Sequence, residues 1–205
     1  MPARMIIVDC REGNVNSVRK MMATIIPGTT ITSLPADIAA ADKIILPGIG
    51  HFQKAMEALN KHHLLEPLNE AVLVKKKPIL GICLGMQIMG VSSEEGNSRG
   101  LGWMNGDVMR FKSPSPDLKI PHMGWNTVGF IKDSPLVQNI PEETEFYFAH
   151  SYHWNTSDRS EILGETEYGV CFPSAIEKEN IFGVQFHPEK SHDGGLQLLR
   201  NFAAL

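Results

Sequence analysis

Short apolar runs alternate along the chain with stretches whose apolar residues recur every three or four positions. Met5–Val8 is a compact apolar strand, followed over 14–26 by Val15, Val18, Met22 and Ile25 on one helical face. Residues 29–33 and 43–46 read as further strands. Phe52, Met56 and Leu59 set a helix over 51–60, and a second helix covers 64–75. Residues 78–82 form a buried strand, after which Leu84, Ile88 and Val91 resume helical spacing. From 103 to 170 the character changes to glycine, proline and short aromatic runs such as Phe146-Tyr147-Phe148, which predicts an antiparallel β insertion. A strand over 180–187 follows, then a last helix capped by Asp193 and carrying Leu196, Leu199 and Phe202. Strands alternating with helices predict an α/β fold: a mainly parallel central sheet, helices on both faces and a small antiparallel β extension.

The sharpest local feature lies where the strand 78–82 meets the next helical pattern. Gly81-Ile82-Cys83-Leu84-Gly85 is the G-x-nucleophile-x-G form of a strand-to-helix elbow. Small residues flank such a turn because its backbone is tight, and the free N–H groups of a following helix favour a thiolate. A small buried hydrophobe is the plainer reading of Cys83. Near the far end stands His187-Pro188-Glu189-Lys190-Ser191. Side chains two apart on an extended segment share a side. His187 and Glu189 are therefore expected to cooperate, and with Cys83 they make a nucleophile, a base and its orienter. The segment Pro47-Gly48-Ile49-Gly50 closes another strand. It is either a simple turn or, with the N–H of Leu84, an oxyanion hole. In open α/β sheets, ligands collect at these C-terminal strand ends.

Metal chemistry fits poorly. The His187-x-Glu189 pair lacks the following P-C-x-x-C of zinc deaminases, His150-x-x-His153 has no cysteines at ligand spacing, and H-E-x-x-H does not occur. No metal and no cofactor are expected, nor a nucleotide site, since both glycine-rich phosphate motifs are missing. With 205 residues, 42% of them hydrophobic, and a net charge of −4, the expectation is one domain spanning 1–205 with a sizeable core. Lys75-Lys76-Lys77 reads as a solvated helix end, so nucleic acid is not an expected partner. Three cysteines, Cys10, Cys83 and Cys171, suit a reducing compartment and a working thiol. The stretch Met5–Val8 is followed at once by Asp9, so it is no signal peptide, and no stretch approaches a membrane span. A cytoplasmic location is expected.

In their order along the chain, the P-G-x-G loop, the G-x-C-L-G-M-Q elbow and the segment Gly183-Val184-Gln185-Phe186-His187-Pro188-Glu189-Lys190-Ser191 resemble the class I (triad) glutamine amidotransferases. Within that family, Pro121-His122-Met123-Gly124-Trp125-Asn126 and Tyr147-Phe148-Ala149-His150-Ser151-Tyr152 are most similar to the glutaminase subunits of imidazole glycerol phosphate synthases. The resemblance implies a flavodoxin-like fold and hydrolysis of glutamine to glutamate and ammonia through a thioester. Cys83 would attack, His187 would shuttle the proton and Glu189 would orient it. Backbone groups of Leu84, Ile49 and Gly50 would hold the oxyanion. Gly48, Gln87, His150, Ser151 and Tyr152 would bind substrate. Lys190, Asn14, Pro121 and Asn126 would face or couple to the partner. That partner would be a (β/α)₈-barrel cyclase subunit of histidine biosynthesis, held in a heterodimer and receiving the ammonia, and Ile49 would be a candidate switch. The family usually reads D-Y-G-x-G-N after the first strand, where this chain has Asp9-Cys10-Arg11-Glu12-Gly13-Asn14. That departure leaves open a relative that feeds ammonia to surface-sugar amination. A stand-alone cysteine hydrolase and a catalytically silent scaffold are the readings from other classes.

Overall fold

The computed structural model describes residues 3–9, 15–112 and 118–205. Among these, the principal sheet has eight strands. Their order is Thr30–Thr32, Met5–Val8, Lys43–Gly48, Ile79–Cys83, Ile181–Val184, Cys171–Lys178, Ile162–Glu167 and Gly129–Phe130. The first five run parallel and the last three join antiparallel. The inner parallel strands are largely apolar because helices cover both faces, whereas the edge strand Thr30–Thr32 is Thr-Ile-Thr. Ile6, Ile44 and Leu46 pack with Phe52, Leu59 and Leu68 on one side. Ile7, Ile45 and Leu80 pack with Val18, Met22, Leu198 and Phe202 on the other. No helix among the described residues is long and apolar enough to cross a membrane.

Helices Val15–Ala23 and Phe52–Lys61 occupy the expected regions, the second starting one residue after His51. The helix expected over 64–75 is Leu65–Asn69 followed by a wide π turn, Glu70–Val74. The region 103–170 is β-rich as expected. Its strands do not form one insertion, however: Gly129–Phe130 and Ile162–Glu167 extend the main sheet. His122–Thr127 pairs with Glu145–His150 in a separate ribbon. A further small sheet begins as early as Ser92–Ser93 and contains one parallel pair.

Two helical expectations are corrected. The helix after Cys83 is only Leu84–Gln87, and Val91 is 49% exposed instead of continuing an apolar face. The carbonyls of Ile88, Met89 and Gly90, which would carry the helix onward, accept instead from the N–H groups of Leu101, Trp103 and Gly102. The last helix, His192–Ala204, begins after Ser191, so Asp193 lies inside its first turn and is not its cap. There its charge still suits the positive end of the helix. Leu198, Leu199 and Phe202 are buried, whereas Leu196 is only half-buried. At the other end the buried Lys43 ammonium donates to the Ala203 carbonyl at 2.5 Å, satisfying a terminal acceptor of the helix.

Candidate active site

Sheet register builds the site. Gly48 lies beside Cys83 at the C-terminal ends of adjacent parallel strands, and Val184 lies beside Ile82, so the chain delivers Gln185–Glu189 to the same rim. Cys83 has φ 54° and ψ −110°, a backbone state that costs a non-glycine residue about 1–3 kcal/mol. Close packing holds it there. A Cβ on Gly85 would lie 1.7 Å from the Leu46 carbonyl oxygen, and one on Gly81 would lie 2.7 Å from the Gly85 carbonyl oxygen. Both flanking glycines are thus required by the approach of the elbow to its strands. A single helical turn aligns few peptide dipoles, so the electrostatic help expected from a helix N-terminus is small here.

The imidazole provides that help. His187 Nδ1 donates to Glu189 Oε1 at 2.9 Å, and each side chain is 4% exposed. Burial pushes the imidazole toward its neutral form, but the nearby Cys83 sulfur and the hydrogen bond and charge of Glu189 outweigh it and raise its pKa from 6.5 to about 10. The two residues meet for a different reason from that expected. Pro188–Lys190 is a 3₁₀ turn, not an extended strand, and Ser191 Oγ ties it by donating to the His187 carbonyl at 2.6 Å.

Cys83 closes one end of a cavity of about 270 Å³, whose walls include Ile49, Gly50, Leu84 and Gln87. Its other side is formed by Pro121 with His150, Ser151 and Tyr152. Gly48, His187, Glu189 and Lys190 line a neighbouring gap of about 20 Å³, and Ile49 borders both spaces. Lys190 sits 5.3 Å over the Tyr147 ring, and Asn126 donates to the Glu167 carbonyl at 3.0 Å; neither lines the larger cavity. Asn14 and the divergent Cys10, Arg11 and Glu12 fall outside the described residues.

Within the cavity wall, His150 Nδ1 is 2.7 Å from the Tyr152 carbonyl, and its Nε2 is 3.0 Å from His122 Nδ1. A carbonyl only accepts, so His150 carries its proton on Nδ1. Burial lowers the pKa of His150 to about 3 and of His122 to about 4, so both rings are neutral. His122 is stacked between Phe148 and Tyr168.

Two site residues escaped the sequence reading. Glu95 is the one carboxylate among the described residues lining the cavity, and its Oε2 accepts from the Phe52 N–H at 2.7 Å. Gln185, fully buried, donates from Nε2 to Cys83 Sγ at 3.5 Å. No local pattern marks it, because the strand ends at Val184 and alternation does not extend to Gln185.

A strained elbow thiol near a charged, carboxylate-held imidazole at the mouth of an open α/β sheet is an arrangement able to support thiol-dependent acyl transfer. The chain belongs to the class-I glutamine amidotransferase family, whose model matches residues 6–204. It is 42% identical over 200 residues to imidazole glycerol phosphate synthase subunit HisH 2 of Pseudomonas aeruginosa, covering 98% of each chain. It is 47% identical over 196 residues to the subunit HisH 2 of Methanococcus maripaludis, covering 96% of each. Among solved structures, a glutamine amidotransferase superposes with a TM-score of 0.75 at 12% identity, covering 98% of this chain and 99% of that one. A GMP synthase-like protein of Thermoplasma acidophilum superposes at 0.73 and 18%, covering 98% and 93%. These two likenesses establish the flavodoxin-like amidotransferase fold.

Proposed function

We propose that this chain is the glutaminase subunit of imidazole glycerol phosphate synthase, a single amidotransferase domain over 1–205 that works in the cytoplasm beside a cyclase subunit. The observation that carries the chemistry is the cavity closed by Cys83, with the charged His187 against its sulfur. About 270 Å³ is below the range of drug-sized pockets and suits a small amino acid.

Cys83 Sγ attacks the carboxamide carbon of glutamine. The developing oxyanion is held by the N–H of Leu84 and by those of the Ile49 and Gly50 loop, each donor supplying about 10²–10³ in turnover. His187 gives its proton to the departing ammonia, leaving a thioester on Cys83. It then accepts a proton from the water that releases glutamate. Glu189 keeps the ring oriented and charged. Glu95 faces the α-ammonium group of the substrate. Gln87 positions substrate through its oxygen, because its Nε2 already donates to the Tyr152 carbonyl at 3.0 Å and to Gln185 Oε1 at 2.9 Å. His150, Ser151 and Tyr152 complete the walls, and Gly48 supports the oxyanion loop from the adjoining gap.

Both relatives are named as subunits of a synthase, which supports a partner for this chain. We take it to be a (β/α)₈-barrel cyclase in a one-to-one heterodimer. Its seat is the surface carrying the exposed apolar residues Ile49, Met123 and Trp125. Pro121 and Asn126 flank the two ribbon residues, and Lys190 lines the small gap that Ile49 borders. Ammonia passes into the barrel, which forms imidazole glycerol phosphate and an aminoimidazole carboxamide ribotide. A flip of the Ile49 peptide would add or withdraw an oxyanion donor as the acceptor site fills. The test is substitution of Cys83 by alanine and by serine in the complex. Both variants should lose glutamine-dependent synthesis and retain synthesis from added ammonia. Retained glutaminase activity in both would overturn the assignment.

A further inference from the structure

The thiol in this site is held by a neighbour whose orientation is fixed by atoms far from the sulfur. The Tyr152 carbonyl can only accept, and it takes hydrogen bonds from His150 Nδ1 and from Gln87 Nε2. The Gln87 amide therefore cannot be turned over, and its second N–H points to Gln185 Oε1 at 2.9 Å. That fixes the Gln185 amide in turn, leaving its Nε2 to donate to Cys83 Sγ at 3.5 Å. Gln185 is fully buried, and its backbone N–H is anchored on the Ser174 carbonyl at 2.8 Å.

We infer that Gln185 is a positioning residue for the reaction, holding the Cys83 sulfur and favouring its anionic form through a donor whose direction is locked by Gln87 and the Tyr152 carbonyl. This rests on the reading of Cys83 as the nucleophile. A thiol would gain little from a donor, whereas a thiolate gains a charge-assisted bond, so the contact acts on the ionised sulfur specifically. His187 approaches the sulfur as the proton carrier and must move its proton during turnover. Gln185 has no proton to give, and so keeps the sulfur placed while the imidazole alternates between charged and neutral.

The test is the pH dependence of iodoacetamide alkylation of the full-length chain, resolved by residue with peptide mass spectrometry. The exposed Cys171 serves as the internal control. In Gln185→Met, which keeps the bulk and removes the donor, Cys83 alkylation at neutral pH should slow about 10- to 100-fold. The midpoint of its pH profile should move upward, while Cys171 is unchanged. In the complex kcat should fall with KM for glutamine held within about threefold, as expected for a group that touches the nucleophile and not the substrate. Gln185→Glu keeps both the size and the acceptor for Gln87 but turns a carboxylate oxygen toward the sulfur, and it should slow Cys83 more than methionine does. An unchanged midpoint in folded Gln185→Met overturns the inference. If methionine unfolds the chain, Gln185→Glu decides alone, and a Cys83 rate equal to or above that of the wild type overturns it. A wild-type chain that alkylates as described but releases no glutamate even with its cyclase and acceptor nucleotide would defeat the glutaminase reading and leave the role of Gln185 standing.

Discussion

At the scale of single residues, Cys83 and Gly85 share one constraint. The elbow backbone reaches its left-handed conformation only because the next turn lies against the Leu46 carbonyl. Gly85→Ala should therefore destabilise the chain by about 3 kcal/mol or more, read as a lower urea midpoint, since neither the strand nor the elbow can yield without displacing the other. Glu189→Gln keeps the hydrogen-bonding shape but removes the charge that holds His187 protonated. Its imidazole titration, followed by NMR, should move down from about 10, and kcat should fall about 10²- to 10⁴-fold. Cys83, His187 and Glu189 could be picked from the sequence because each belongs to a short pattern with a chemical reason. Glu95 and Gln185 could not. Glu95 reaches the cavity through a loop whose path no local pattern encodes, and a buried glutamine is recognisable only once its partners are placed.

Secondary-structure elements carry the pH dependence. The ribbon of His122–Thr127 against Glu145–His150 sets His122 directly opposite His150, and both rings are buried and neutral. Their folded pKa values lie below the unfolded 6.5, so between about 4 and 6.5 the unfolded chain binds more protons than the folded one. Stability from this ribbon is therefore complete above 6.5 and falls with acid, on the order of 1 kcal/mol per pH unit for each histidine. His187 has the opposite sign: its raised pKa contributes fully below 6.5 and that contribution fades as pH rises toward 10. Urea midpoints should accordingly peak near neutral pH, and His122→Gln should flatten the acid limb. Elements with strong periodicity, such as Phe52–Lys61 and the parallel strands, were legible in the sequence. The helix after Cys83 was not, because its end is decided by residues 101–104 capturing its carbonyls, a tertiary contact that spacing cannot reveal. The turn Pro188–Lys190 was missed likewise, being fixed by Ser191 and not by strand alternation.

On the scale of the whole molecule, the parallel half of the sheet followed from the alternation of strand and helix. The way two strands of the 103–170 region extend that sheet did not, since strand partners far apart in sequence leave no periodic trace. The exposed Met123 and Trp125, 64% and 43% accessible, stand on the outward face of the ribbon next to the cavity. As partner anchors they should behave as hot spots. Trp125→Ala should weaken binding of the proposed cyclase partner by at least about tenfold in calorimetric titration, with Cys83 alkylation of the isolated chain unchanged. The measurement that separates a coupled glutaminase from a free one is glutamate release from glutamine. It is made with the purified chain alone, and then with the cyclase of its own organism and the acceptor nucleotide. Slow release alone and strong stimulation by partner and acceptor together is the expected result. Equal rates under both conditions would contradict a glutaminase coupled to a cyclase.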